Sequence, residues 1–234
     1  MTGILDGRIA VITGASRGIG AAVARAFARE GAHVVLVART VGALEELDDE
    51  IRATGGSASL VPMNLTDYPA IDRLGAALHE RYGKIDILVA NGGMLGNLTP
   101  VHHYDPKLWE QVIATNLTAN QRLIRSLDPL LRQSDAGRAI FVTADAASGE
   151  KPFWGAYAVS KAALEAMVRS YAAENVKSNI KANLLNPGAT RTTLRATAYP
   201  GEDQASVKPP EDLVPLFLEL ASPDCRRNGD LVNA

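Results

Sequence analysis

Short apolar runs alternate along this chain with longer stretches in which apolar residues recur at helical spacing. Residues 8–13 hold four consecutive apolar positions and stop at Gly14, the pattern of a strand buried on both faces. Residues 19–30 are Ala-rich, predict a helix and close on Gly31. The alternation continues with a strand at 33–38, a helix at 42–53 ended by Gly55-Gly56, and a strand at 59–63. Asp67 can cap a helix that runs to residue 82 and stops at Gly83, before a strand at 85–90. Pro62 places the third strand at a sheet edge. Asp105-Pro106, a cap followed by a first-position Pro, opens a long helix toward residue 132, which Pro129 kinks or ends. A strand at 138–143, a helix at 155–174, a strand at 180–185, a helix at 210–221 and a short strand at 229–233 complete the series. Such strands, each followed by a helix, predict a parallel sheet covered on both faces, and right-handed crossovers make it doubly wound. No repeat, linker or low-complexity tract divides the chain, so residues 1–234 read as a single α/β domain. Residues 190–209, rich in Thr, Pro, Gly and charge, read as a lid over a site.

Composition narrows the classes. The chain is 47% apolar and 21% charged, enough apolar material for a sizeable core. A net charge of −2 without any Lys/Arg-rich run argues against nucleic acid and anionic membranes as partners. No apolar run approaches the ~20 residues that span a bilayer. The first residues, Met1-Thr2-Gly3, lack the basic-then-apolar pattern of a secretory signal. One cysteine, Cys225, excludes an internal disulfide framework and fits a reducing compartment, so a cytoplasmic location is expected.

Candidate chemistry gathers at the ends of the predicted strands. The first strand-to-helix turn reads Thr13-Gly14-Ala15-Ser16-Arg17-Gly18-Ile19-Gly20. Glycines here allow tight geometry and let backbone amides approach a pyrophosphate at a helix N-terminus. The second strand ends in Ala38-Arg39-Thr40, without the acid that receives a free ribose 2′-hydroxyl. Arg17 and Arg39 can instead grip a 2′-phosphate, which predicts NADP(H) over NAD(H). Tyr157 and Lys161 lie four apart in a helical pattern and so share a face. A cation near a phenol stabilises the phenolate and lowers the tyrosine pKa toward the working range of an acid/base.

Taken in order, these features resemble the short-chain dehydrogenase/reductase family over almost the whole length. Thr13-Gly14-x-x-x-Gly18-x-Gly20 is similar to its cofactor motif, Ala90-Asn91-Gly92-Gly93 to its Asn-Asn-Ala-Gly, and Tyr157-x-x-x-Lys161 to its catalytic pair. Asn116 stands where the family has the helix asparagine of a proton relay, and 186–192 resembles its Pro-Gly stretch facing the nicotinamide. The resemblance implies a Rossmann fold and hydride transfer between a nicotinamide and a small carbonyl or secondary alcohol. Tyr157 would exchange the proton, Lys161 would tune it and hold the ribose, and Asn116 would position a water. The cofactor would lie along Gly14, Ser16, Arg17, Gly18, Ile19, Gly20, Arg39, Asn64, Leu65, Asn91, Gly92, Tyr157, Lys161, Pro187, Gly188, Thr190 and Thr192. It also implies a homodimer or homotetramer built through the two long helices, where Ala162, Ala163, Ala166 and Met167 suit close packing.

Three departures stand out. Thirteen residues before Tyr157, where the family usually has a serine that donates to the substrate oxygen, this chain has Ala144. Thr143 and Ser148 are the nearest hydroxyls; Thr143 should face the other side of its strand, and Asp145 would repel an oxyanion. A second reading follows: a dinucleotide-binding or regulatory protein with impaired catalysis. Asn64 replaces the aspartate that commonly receives the adenine amino group, a bond the Asn oxygen still accepts. The chain also stops soon after its last strand, at Ala234. His102-His103 lacks a third ligand at metal spacing, so no metal is expected. Trp154 is expected to pack where the helix at 155–174 begins, and Arg191 and Arg195 either to attract an acidic substrate group or to form a solvated lid face.

Overall fold

A computed structural model describes residues 3–234; Met1 and Thr2, with which the proposed domain opens, lie outside the described residues. Seven strands form one parallel sheet in the order β3-β2-β1-β4-β5-β6-β7. They are β1 Ile9–Thr13, β2 His33–Ala38, β3 Ser57–Pro62, β4 Ile87–Ala90, β5 Arg138–Val142, β6 Lys181–Asn186 and β7 Leu231–Asn233. The connecting helices are α1 Gly18–Arg29, α2 Val41–Ala53, α3 Tyr68–Tyr82, α4 Pro106–Ile113, α5 Ala119–Leu131, α6 Gly155–Glu174, α7 Thr193–Ala198 and α8 Val214–Ala221.

The period of two along each strand divides the core into two layers. Ile12, Leu36, Val89 and Ile140 face α1, α2 and α8, where they meet Phe27, Leu44 and Phe217. Their neighbours Val11, Val35, Leu88 and Phe141 face α3, α5 and α6, where they meet Ile71, Leu123 and Leu164. Both faces are buried, which is why the strands read as continuous apolar runs. Chain order reverses between β1 and β4, and the crevice beyond their C-terminal ends is where ligands bind in such sheets. Among the described residues no helix is long and apolar enough to cross a membrane.

Several elements differ from expectation, among them β3, which starts two residues early, and β7, which starts two residues late. β4 starts two residues late because the Asp86 carboxylate accepts from the Ile9 amide at 2.9 Å, in place of a ladder carbonyl. The long helix is interrupted at Ala114–Thr118 by a π-turn, and Pro129 falls in the last turn of α5 without breaking it sooner. Residues 210–221 begin as a 3₁₀ turn, Pro210–Leu213, before α8. The stretch at 190–209 is ordered rather than irregular. It contains α7, whose cap Thr192 accepts from the Arg195 amide, and its ends are joined by a Thr190–Lys208 bridge. Pro62 does lie on an edge strand.

Candidate active site

The glycine turn shapes one end of the crevice. Gly14 and Gly18 have positive φ (65° and 55°), open to glycine without strain. A Cβ on Gly20 would lie 2.3 Å from the Gly14 oxygen, so only glycine lets α1 pack against the turn. The Thr13 hydroxyl accepts from the amides of Asn91 and Gly92, each at 3.0 Å, which joins the end of β1 to the end of β4. Asn91 Nδ2 donates back to the Thr13 carbonyl at 3.0 Å. Arg17, at the N-cap of α1, is extended and supplies no side-chain cap, and the first turn carries no acid. The free amides and positive dipole end of α1 therefore face the crevice with nothing to neutralise them.

From this turn a cavity of about 610 Å³ runs to α6. It is lined by every proposed cofactor residue except Gly20, which lies behind the turn. The exposed Arg17 and Arg39 flank one end, and neither makes a side-chain hydrogen bond or ion pair among the described residues. Asn64 Oδ1 accepts from the Thr66 amide at 3.2 Å, which leaves one of its lone pairs for a ligand. A Cβ on Gly92 would lie 2.5 Å from Leu65 Cδ1, so the cavity wall narrows there to bare backbone. Glycine-lined backbone, a free helix N-terminus and two unpaired guanidiniums fit a phosphorylated dinucleotide.

At the other end α6 presents Tyr157 and Lys161, both buried. Lys161 Nζ donates to the Val142 carbonyl at 2.8 Å and lies 5.7 Å from the centre of the Tyr157 ring. The Tyr157 hydroxyl makes no hydrogen bond with the described residues and borders the cavity. Burial pushes the Tyr157 phenol up and brings Lys161 down to about 8. In the protein alone, then, desolvation outweighs the lowering of Tyr157 expected from the adjacent cation. Asn116 lies in the π-turn behind the wall, not in the cavity lining. Its Oδ1 accepts from the Met94 amide at 2.8 Å, and its Nδ2 donates to the Met94 carbonyl at 2.9 Å and to Ser160 Oγ at 3.0 Å. Its side chain thus ties the loop after β4 to α6. Its carbonyl, which the π-turn turns aside, accepts from Asn120 Nδ2 at 2.7 Å.

Residues 8–203 match the family described as short chain dehydrogenase. The chain belongs to this family. It is 36% identical to the oxidoreductase YciK of Escherichia coli K12, over 96% of this chain and 90% of that protein. A short chain dehydrogenase structure from Pseudomonas syringae superposes with a TM-score of 0.96 at 37% identity, covering 100% of this chain and 96% of that one. A structure from Shigella flexneri 2a, complexed with NADP, gives 0.95 at 34% identity, covering 100% and 99%.

Within this short-chain dehydrogenase the expected serine position is an apolar wall. Ala144 is half-buried against a cluster that includes Leu95, Ala146, Tyr157 and Ala198. Thr143 does face the other way: its hydroxyl donates to Glu165 Oε1 at 2.8 Å. Ser148 is exposed and donates to the Asp145 carbonyl at 3.0 Å. Asp145 Oδ1 accepts from Asn186 Nδ2 at 2.7 Å. Trp154 packs at the start of α6, its ring 5.7 Å from those of both Tyr157 and Tyr199. Arg195 is clamped by Glu202 at 2.7 and 2.5 Å, while Arg191 is exposed. Among the cavity-lining residues, sequence reasoning missed Thr115, which sits in the π-turn, where no periodicity marks it.

Proposed function

We propose that this chain is an NADP(H)-dependent oxidoreductase acting on a carbonyl or secondary alcohol, with Tyr157 as the acid/base. One observation carries the reading: the unpartnered hydroxyl of the buried Tyr157, open to the cavity, and a buried Lys161 close the far end of a cavity whose near end suits a dinucleotide phosphate. NADP(H) supplies or takes the hydride. Tyr157 donates its proton to the carbonyl oxygen and takes it back from the alcohol. Lys161 provides the positive charge that stabilises the phenolate, and Val142 holds it in place. Asn116 acts by fixing Met94 and Ser160, which orient the loop after β4 and the first turns of α6. Pro187, Gly188, Thr190 and Thr192 border the cavity where a nicotinamide carboxamide would rest. Arg17 and Arg39 favour the 2′-phosphate, and the NADP-bound Shigella relative supports that preference. Titrating NADPH and NADH against the protein tests it: tighter NADH binding sinks the preference. Tyr157→Phe tests the chemistry: NADPH binding should survive while ketone reduction falls about 10²–10⁴-fold.

A second reading, a dinucleotide-binding protein with little turnover, is favoured by Ala144 together with the engaged hydroxyls of Thr143 and Ser148. NADPH binding without turnover of any ketone supports it. As to assembly, α6 leaves Ala162 and Ala166 exposed, small residues suited to close helix packing in a homodimer or homotetramer. Sedimentation that finds only monomer at micromolar concentration refutes assembly.

A further inference from the structure

The substrate end of the cavity contains a cation without a counter-ion. Lys151, in the turn before α6, is half-buried and lines the cavity, with its ammonium 5.3 Å from the centre of the Trp154 ring. Among the described residues no carboxylate lies within ion-pair distance of it. Glu150 beside it is exposed, and Asp145, which also lines the cavity, takes its hydrogen bond from Asn186. Of the other cations at this end, Arg195 is paired with Glu202 and lies 3.8 Å over the Tyr199 ring, and Lys161, at the reacting end, donates to the Val142 carbonyl.

Trp154 connects this free charge to the reacting end. Its ring meets Tyr157 edge-on, at 64°, on one side and carries the Lys151 ammonium on another. The wall between is apolar, formed by residues such as Ala144 and Leu194. An ammonium whose stem lies along an aromatic face is partly dehydrated, and an anion gains more beside it than beside a fully solvated lysine. The geometry points to Lys151 and Trp154 as a subsite for a carboxylate. The substrate is then an oxo or hydroxy acid whose apolar middle lies along Trp154, with its reacting carbon at Tyr157 and its anion at Lys151. This rests on the hydride-transfer reading above and specifies its substrate class.

The test compares 6-oxoheptanoate with its methyl ester, which removes the charge and keeps the chain. NADPH oxidation is followed for the wild type, Lys151→Met and Lys151→Arg, and binding of both compounds is measured calorimetrically on the NADPH-loaded Tyr157→Phe protein with and without Lys151→Met. The wild type should favour the acid by about tenfold in kcat/KM, mostly through KM. Lys151→Met should bring acid and ester to parity, and Lys151→Arg should keep the preference. Acid-selective binding that depends on Lys151, with no turnover by the wild type, supports the subsite and overturns hydride transfer. Equal turnover of acid and ester, unchanged by Lys151→Met, overturns the subsite and leaves hydride transfer standing. Binding indifferent to the carboxylate overturns the subsite whatever the turnover.

Discussion

On the hydride-transfer reading, placing a hydroxyl at position 144 should accelerate turnover by about 10²-fold, and the surroundings of that position give the reason for a gain of that size. Ala144 has φ −163° and ψ 157°, extended backbone that serine adopts without strain. It borders the cavity and packs in the same cluster as Tyr157, so a serine hydroxyl there would share a wall with the phenol. A half-buried site open to solvent adds little desolvation, and stability should change by less than about 0.5 kcal/mol. One donor aimed at the developing oxyanion typically contributes about 10²–10³ in rate, about 2.7–4 kcal/mol. The gain is full only if no other hydroxyl already serves, and Thr143 and Ser148 both donate elsewhere. The assay is steady-state NADPH oxidation over a ketone panel, for the wild type and Ala144→Ser at matched cofactor saturation. The increase should fall in kcat, because the bond strengthens as charge develops. Equal kcat in the two proteins refutes the reasoning, since another donor must then be in place. No turnover in either, with NADPH bound, supports the binding-protein reading.

Other expectations follow from the same residues. Burial lowers Lys161 to about 8 in the folded protein, against an ordinary value of 10.5, so the unfolded chain binds more protons between those pH values. Stability of the wild type relative to Lys161→Met should therefore rise with pH through that window; denaturant melts near pH 7 and pH 9.5 that show it flat or falling refute this. Asp86 is fully buried and accepts from the Ile9 amide, Ser134, Lys84 and Arg8, so Asp86→Ala should cost about 3 kcal/mol by urea denaturation, and a loss under 1 kcal/mol contradicts it. Asp67 caps α3 by accepting from the Ala70 amide at 3.0 Å. Asp67→Ala should cost about 1 kcal/mol with NADPH affinity unchanged, and a weakened affinity counts against a purely local cap.

The sheet was legible because both its faces are buried: unbroken runs such as Val34 to Val37 leave no strand boundary ambiguous by more than two residues at the sheet's centre. What stayed hidden depends on long-range contacts. Nothing between residues 114 and 118 is Gly or Pro, so the π-turn has no local marker; its geometry answers to Met94 and Ser160, 22 and 44 residues away from Asn116. Likewise α7 lies in a stretch whose composition reads as loop, yet the Thr192 cap and the Arg195–Glu202 clamp order it. For the site, glycine spacing and the Tyr157–Lys161 interval were visible because each is set within one local element. The Lys151–Trp154 contact was not, because the irregular turn that makes it has no period. The expected lowering of Tyr157 also failed in the protein alone, because burial depth cannot be read from an i, i+4 interval.

The π-turn also bears on which length changes this chain can absorb. One turn of the helix from Pro106 to Leu131 is wound wide, so α4 and α5 run on as one rod while their faces fall out of phase. Deleting a residue between 114 and 118 would let the rod relax to an ordinary α-helix, a locally favourable change with no Pro to oppose it. The segments before and after the turn would keep nearly their present orientation, because a π-turn absorbs one extra residue, but the asparagine amide inside it would move off Met94 and Ser160. A shortening by one would therefore leave a better helix and a broken link between the loop after β4 and α6.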